Sequence, residues 1–335
     1  MRQYRITGNS VDSVRQFPTS RPDPGPNEML VRMRAFSLNY RDLMLAEGRY
    51  GSPTPPDLVP FSDGAGEVVA VGAGVRRFKP GDRVASCFFA DWDDGALSQT
   101  GAGSARGGGI DGVLSEYAVL NERGAVHVPA GYSFEEAATL PCAAVTAWNA
   151  LVCFGGIAAG STVLVQGTGG VSIFALQMAH GMGARVICTS SSDAKLERAV
   201  SLGAASSINY ARNPDWQDEV RRLTGKAGVD LVIEVGGAGT LGRSMQATRA
   251  GGRIAVIGVL TGRAEVDPSV ILFRRLSLQG ILVGSRAMFE AMIRAIDMLS
   301  LRPVIDRRFG FDEVAAALHH LKGGSHFGKV VVTVD

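Results

Sequence analysis

Residues Gly167-Thr168-Gly169-Gly170-Val171-Ser172 have the types and spacing to hold a phosphate. Thr162 to Gln166 before them is short, β-branched and apolar, and an amphipathic stretch follows to Met182, so the glycines fall at a strand-to-helix turn. Residues without a β-carbon let the backbone approach a pyrophosphate there. The unpaired amides and dipole of the following helix favour the anion. Ser172 takes the third glycine position of the fingerprint, where a small residue keeps helix and strand close.

A second strand is expected over Ala184 to Thr189, and its end lies about 20 residues past the turn, where nucleotide type is usually decided. The chain reads Thr189-Ser190-Ser191-Ser192-Asp193-Ala194-Lys195 at that point, with no acid at the strand end to bind a ribose 2′-hydroxyl. Ser190, Ser191 and Lys195 suit a 2′-phosphate, so NADP(H) is expected over NAD(H). Ser192 also reads as a helix N-cap with Lys195 as a solvated first-turn residue, and Asp193 leaves NAD open.

The elements that must position this turn are spread over 335 residues, enough for two domains. With 46% hydrophobic and 20% charged residues the composition is globular, and a net charge of +2 gives no broad basic field for nucleic acid. Four scattered cysteines lack a C-x-x-C pair and the N-terminus lacks an apolar signal core, so a cytoplasmic, reduced protein is expected. No apolar run reaches the roughly 18 residues of a membrane span.

The first 125 residues read as β-rich, with strands at Met29 to Arg34, Glu67 to Val71, Arg83 to Ser86 and Leu114 to Leu120. Beyond the turn, strands and helices alternate as in a doubly wound sheet: strands at Ser206 to Tyr210, Val229 to Val235, Arg253 to Gly258 and Ser277 to Val283, and helices at Pro214 to Thr224 and Arg286 to Leu299. An α/β fold is expected, with a β-rich domain over 1–125, completed by 301–335, and a nucleotide-binding domain over 126–300.

Pro24-Gly25-Pro26-Asn27-Glu28, Gly64-Ala65-Gly66-Glu67-Val68, Val71-Gly72 and Phe78-Lys79-Pro80-Gly81-Asp82-Arg83-Val84 precede the nucleotide turn in that order. As an ordered set they resemble the medium-chain dehydrogenase/reductase superfamily over nearly the whole chain. The resemblance implies a GroES-like substrate domain, a Rossmann domain and a cleft between them. It also implies positions for zinc, which many members carry. In the zinc enzymes one ligand is a Cys in the segment matching Leu38 to Asp42, but here the residues are Asn39-Tyr40-Arg41-Asp42. A second is the His of a His-Glu pair before Gly-Ala-Gly, but here Ser62-Asp63 precede Gly64. Only Cys142 stands where a third would, and no histidine precedes His127. A metal-free, zinc-independent protein is therefore expected.

Without zinc, hydrogen-bond donors must polarise a substrate carbonyl while a nicotinamide delivers hydride. The segment Ser37 to Asp42 resembles the quinone oxidoreductase and enoyl reductase branches, where it lines the nicotinamide cleft. Asn39 is thereby the candidate for a cofactor or substrate hydrogen bond. Tyr40 is a proton donor or a packing residue, and Asp42 a catalytic acid, a cap or an ion-pair partner. Asp63 reads as a proton-transfer candidate or a turn residue, and Cys142 as a small buried hydrophobe.

The resemblance further implies cofactor contacts at Thr146, Tyr210, Gly236, Gly258, Val259 and Lys329, each with an ordinary structural alternative as helix, loop-start or solvated residue. The activity implied is NADP(H)-dependent hydride transfer to or from a small quinone, enone, aldehyde, ketone or alcohol. Alcohol dehydrogenase proper is the enzymatic alternative, and a crystallin-like NADPH-binding protein with dispensable catalysis is the alternative of another class. A homodimer is expected, because Ser277 to Val283 would leave an apolar sheet edge.

Overall fold

The computed structural model describes all residues except 52–54, 259–261, 263, 264 and 335. Strands β1 (Arg2–Ile6), β2 (Val14–Pro18), β3 (Glu28–Ser37), β4 (Asp63–Val71), β5 (Arg83–Ser86), β6 (Tyr117–Asn121) and β7 (Ala125–His127) come first. The central strands β8 (Thr162–Gln166), β9 (Arg185–Ser190), β10 (Ser206–Asn209), β11 (Val229–Glu234), β12 (Thr248–Val256) and β13 (Ser277–Gly280) alternate with helices. The chain closes with β14 (Ile305–Gly310) and β15 (Lys329–Thr333).

Two compact units result. One comprises Met1–Val145, Gly284–Ile296 and Arg302–Asp335, and the other Thr146–Val283 with Asp297–Leu301. Strand β7, where the sequence reading sets its boundary, pairs with β5 inside the first unit. Helix Arg286–Ile296, read as part of the nucleotide domain, also belongs to the first unit. It is tied there by Arg286 N–H to the Trp92 carbonyl at 2.9 Å and by an Arg77–Glu290 ion pair at 2.7 Å.

The first unit is built on a seven-stranded sheet in the order β14-β15-β3-β4-β5-β7, with β6 on β3, beside the antiparallel pair β1-β2. Its core gathers Met29, Met33, Phe36, Leu38, Phe61 and Val332. Because β15 pairs antiparallel with β3, Val331 opposite Ser37, the last strand of the chain lies against the strand that leads into Asn39.

The second unit is a six-stranded parallel sheet in the order β10-β9-β8-β11-β12-β13. This is the doubly wound arrangement, in which strand order reverses beside the first strand. Val163, Leu164 and Val165 of β8 are wholly buried, as suits a parallel strand covered on both faces. Strand β13 stops at Gly280, short of the expected Val283. Val283 has φ of +53°, a left-handed conformation that a β-branched residue cannot carry within a strand. Strand β12 instead begins earlier than expected, at Thr248, since Thr248 opposite Val229 opens the ladder before a register shift between Val229 and Leu231.

Candidate active site

In the second unit the glycine turn has the geometry of an anion cradle. Gly167 has φ of +69°, and a Cβ added at Gly167 or at Gly169 would meet nothing within 4 Å, so the turn is open above its backbone. Gly169 is the N-cap of the helix Gly170–Gly181 and provides no side-chain cap, which leaves the first-turn amides for a ligand. Ser172 donates from Oγ to the Gln166 carbonyl at 2.6 Å, pinning this helix to the end of β8. These residues fit a dinucleotide's pyrophosphate.

Other expected contacts gather at the same carboxyl ends of the sheet. The Gly167 amide donates to the Thr189 carbonyl at 2.7 Å, and the Tyr210 backbone amide to the Ser190 carbonyl at 3.0 Å. Tyr210 stays 42% exposed. The amides of Gly236 and Gly237 each donate to Glu234 Oε1 at 2.9 Å, so those backbone donors already have an acceptor within the protein. Glu234 is fully buried and also accepts from Gln166, Thr240 and Ser244. Gly258 allows close approach, because a Cβ there would fall 1.8 Å from the Val235 carbonyl oxygen. Thr168 is buried, as is Thr146 in the helical segment Val145–Trp148. Val259 lies outside the described residues.

At the end of β9, Ser192 caps the helix Asp193–Ser201 by accepting from the Lys195 amide at 3.4 Å. Both Asp193 oxygens are engaged, Oδ1 by Asn209 Nδ2 at 2.7 Å and Oδ2 by the Arg212 guanidinium. Sequence reasoning missed Arg212. The signal was available: a basic residue just past Tyr210, at the carboxyl end of a strand.

In the first unit the segment read as catalytic forms a buried polar cluster. Asn39 is the N-cap of the helix Tyr40–Ala46, and its backbone carbonyl accepts from the Asp42 amide at 3.0 Å. Its backbone amide in turn donates to Asp42 Oδ2 at 2.8 Å. The Asn39 side chain is turned to Lys329, a residue 97% buried, whose Nζ donates to Asn39 Oδ1 and to the Leu38 carbonyl, both at 2.6 Å. Asp63, the first residue of β4, is fully buried. It accepts from Ser62 Oγ at 2.7 Å and from the Cys142 amide at 3.2 Å. It is therefore a core carboxylate rather than a turn residue.

Burial pushes the Asp63 carboxyl above the usual range, opposed first by the Lys329 ammonium and then by the Asn39 amide. Burial likewise raises Asp42 to about 6, against the pull of Arg41. Tyr40 is 42% exposed at the start of its helix.

The positions at which the resemblance places metal ligands do converge here, but their chemistry does not suit a divalent ion. Asn39 Oδ1 already accepts from an ammonium, and a cation stands beside Asp63. The Cys142 thiol is pushed up by burial and then by Asp63. Among the described residues, no group of three or more His, Cys, Asp or Glu is arranged to hold a metal ion. Lys329, which sequence reasoning places on the cofactor, thus sits beside a side chain 290 positions away, a pairing with no local signal.

Comparison with known proteins agrees with this architecture. Residues 25–130 match the alcohol dehydrogenase GroES-like domain and residues 170–298 the zinc-binding dehydrogenase family. A zinc-type alcohol dehydrogenase-like protein of Schizosaccharomyces pombe is 44% identical over 92% of each chain. A quinone oxidoreductase of Homo sapiens is 26% identical over 93% of this chain and 90% of its own. The crystal structure of an NAD-dependent alcohol dehydrogenase superposes with a TM-score of 0.91 at 35% identity, covering 100% of both chains. With the parallel nucleotide-binding sheet and the GroES-like unit in place, the chain belongs to the medium-chain dehydrogenase/reductase superfamily and is an oxidoreductase.

Proposed function

We propose that the protein is a zinc-independent, NADP(H)-dependent oxidoreductase acting on a small carbonyl compound, with a quinone or enone ranked first and an aldehyde, ketone or alcohol second. The observation that carries this reading is the Asn39 amide. Its Nδ2 is buried without a completed hydrogen bond, next to a lysine and a carboxylate that suit no metal. A bound dihydronicotinamide would supply the hydride. Asn39 would donate to the oxygen that gains negative charge, the part a Lewis acid takes in zinc enzymes. Tyr40 is the candidate proton donor to that oxygen, and Asp42 supports Asn39 through the backbone bond of 2.8 Å.

For the cofactor, Gly167, Thr168, Gly169, Gly170 and Val171 would hold the pyrophosphate. Ser190, Ser191, Lys195 and Arg212 would meet a 2′-phosphate, because Asp193 is already committed to Asn209 and Arg212. The 35% identical structure described as NAD-dependent marks the rival cofactor. Fluorescence titration decides between them. NADPH is expected to bind at least about tenfold more tightly than NADH, a difference of roughly 1.4 kcal/mol. The pair Lys195→Ala and Arg212→Ala should weaken NADPH alone; equal loss for both nucleotides would reject the assignment. NADPH oxidation across quinones, enones and aldehydes ranks the substrates, and binding without turnover on any of them would favour a protein with dispensable catalysis.

A homodimer in the cytoplasm completes the proposal. Strand β13 is the last of its sheet, and Leu272 and Phe273 before it and Leu282 after it are 70%, 81% and 61% exposed. No helix among the described residues is long and apolar enough to cross a membrane.

A further inference from the structure

We infer that Lys329 and Asp63 form a two-sided clamp that fixes the sense of the Asn39 carboxamide, so that its NH2 end is presented to an acceptor oxygen. Hydrogen-bonding capacity decides the orientation. An ammonium has three donors and no acceptor, so the Asn39 atom 2.6 Å from Lys329 Nζ must be the oxygen. A carboxylate only accepts, and the Asn39 amide stands close enough to Asp63 to oppose the rise in its pKa that burial causes. Cation at the oxygen and anion toward the nitrogen both select one orientation, and a flipped amide would set like partners against each other at both ends.

Three further features separate this arrangement from an ordinary core ion pair. Asn39 stands at an N-cap, where the Asp42 amide donates to its backbone carbonyl at 3.0 Å while its Oδ1 accepts from Lys329 Nζ at 2.6 Å. Asp42 takes over the exchange with the Asn39 backbone, which holds the residue in place while its side chain is diverted. Nδ2 is buried and completes no hydrogen bond of normal geometry; Asp63 faces one of its two N–H groups, and the other costs free energy unless a ligand supplies the acceptor. An ammonium at the carbonyl end also draws electron density from the amide nitrogen and makes its N–H a stronger donor. Lys329 is therefore a positioning residue that acts through Asn39.

This inference rests on the proposed reading for its ligand. The acceptor is a carbonyl-type oxygen, either of the substrate or of the nicotinamide carboxamide. It is not a hydroxyl that must surrender a proton, because an amide nitrogen cannot take one.

The test combines one measurement that needs no ligand with two that separate the oxygen's source. In 1H–15N spectra of the protein without nucleotide, the Lys329 ammonium signal, assigned by its loss in Lys329→Met, should shift in Asn39→Ala. No shift would overturn the clamp, whether or not the wild type turns over any substrate. With NADPH and the best acceptor found, Lys329→Met should lose turnover on the order of 10²-fold, the usual effect of one preorganised donor, and Lys329→Arg should restore part of it.

Because Lys329→Met strands a buried carboxylate, Asp63→Asn/Lys329→Met serves as the control. It should melt near the wild type and remain slow, since neither charge is left to orient the amide. Loss confined to kcat and KM at unchanged NADPH affinity assigns the oxygen to the substrate, and weakened NADPH binding assigns it to the nicotinamide. Full activity in a well-folded double variant would refute the proposal, as would a loss that follows the melting temperature and is not relieved by arginine.

Discussion

At the scale of single residues, Asp42 links the site to stability. Its carboxyl is raised to about 6 by burial, with Arg41 opposing. In an unfolded chain an aspartate titrates near pH 4, so between about pH 4 and 6 the folded protein keeps a proton that the unfolded chain has released. Stability is therefore lost as pH rises through that window, and the loss is complete above about 6. Asp42→Asn cannot ionise yet keeps an oxygen for the Asn39 amide. Relative to wild type it should flatten the fall in melting temperature over that range, by at most about 3 kcal/mol. Parallel melting curves for the two proteins across pH 4 to 7 would dismiss the effect.

At the scale of elements, the decisive unit is β8 with its turn and helix. The buried strand sets the position of Gly167, and the Ser172 bond of 2.6 Å fixes the start of the helix, leaving the open face at Gly169. Gly169 has an ordinary φ of −76°, so a side chain there strains nothing in the fold and occupies only the space above the turn. Gly169→Val should melt within a few degrees of wild type while nucleotide affinity falls, on the order of tenfold or more, because the pyrophosphate can no longer approach the backbone. Equal affinity by calorimetry would remove the phosphates from this turn. Gly258 behaves oppositely: a Cβ 1.8 Å from the Val235 carbonyl oxygen predicts that Gly258→Ala disturbs the sheet itself.

At the scale of the whole molecule, the proposed dimer rests on β13 as the last strand of its sheet, with exposed Leu272 and Phe273 in the helix before it and Leu282 after it, since an uncovered edge invites pairing. Light scattering should give twice the monomer mass for wild type and the monomer mass for Leu282→Asp; a monomeric wild type in dilute solution would end the dimer proposal. What the sequence alone determined was local. Glycine spacing at Gly167 to Gly170, the apolar run of β8, and the strand-helix alternation are all periodic or contiguous signals, so they revealed the nucleotide fold and its turn. Missing ligand types at Asn39 and Ser62 were equally visible. The tertiary structure decided what depends on pairing distant segments. Strand β15 lies on β3 and so brings Lys329 to Asn39. Asp63 is buried as a counter-charge, and Arg212 closes on Asp193. Propensity and periodicity act over a few residues, whereas a buried charge finds its partner only when the sheet has closed.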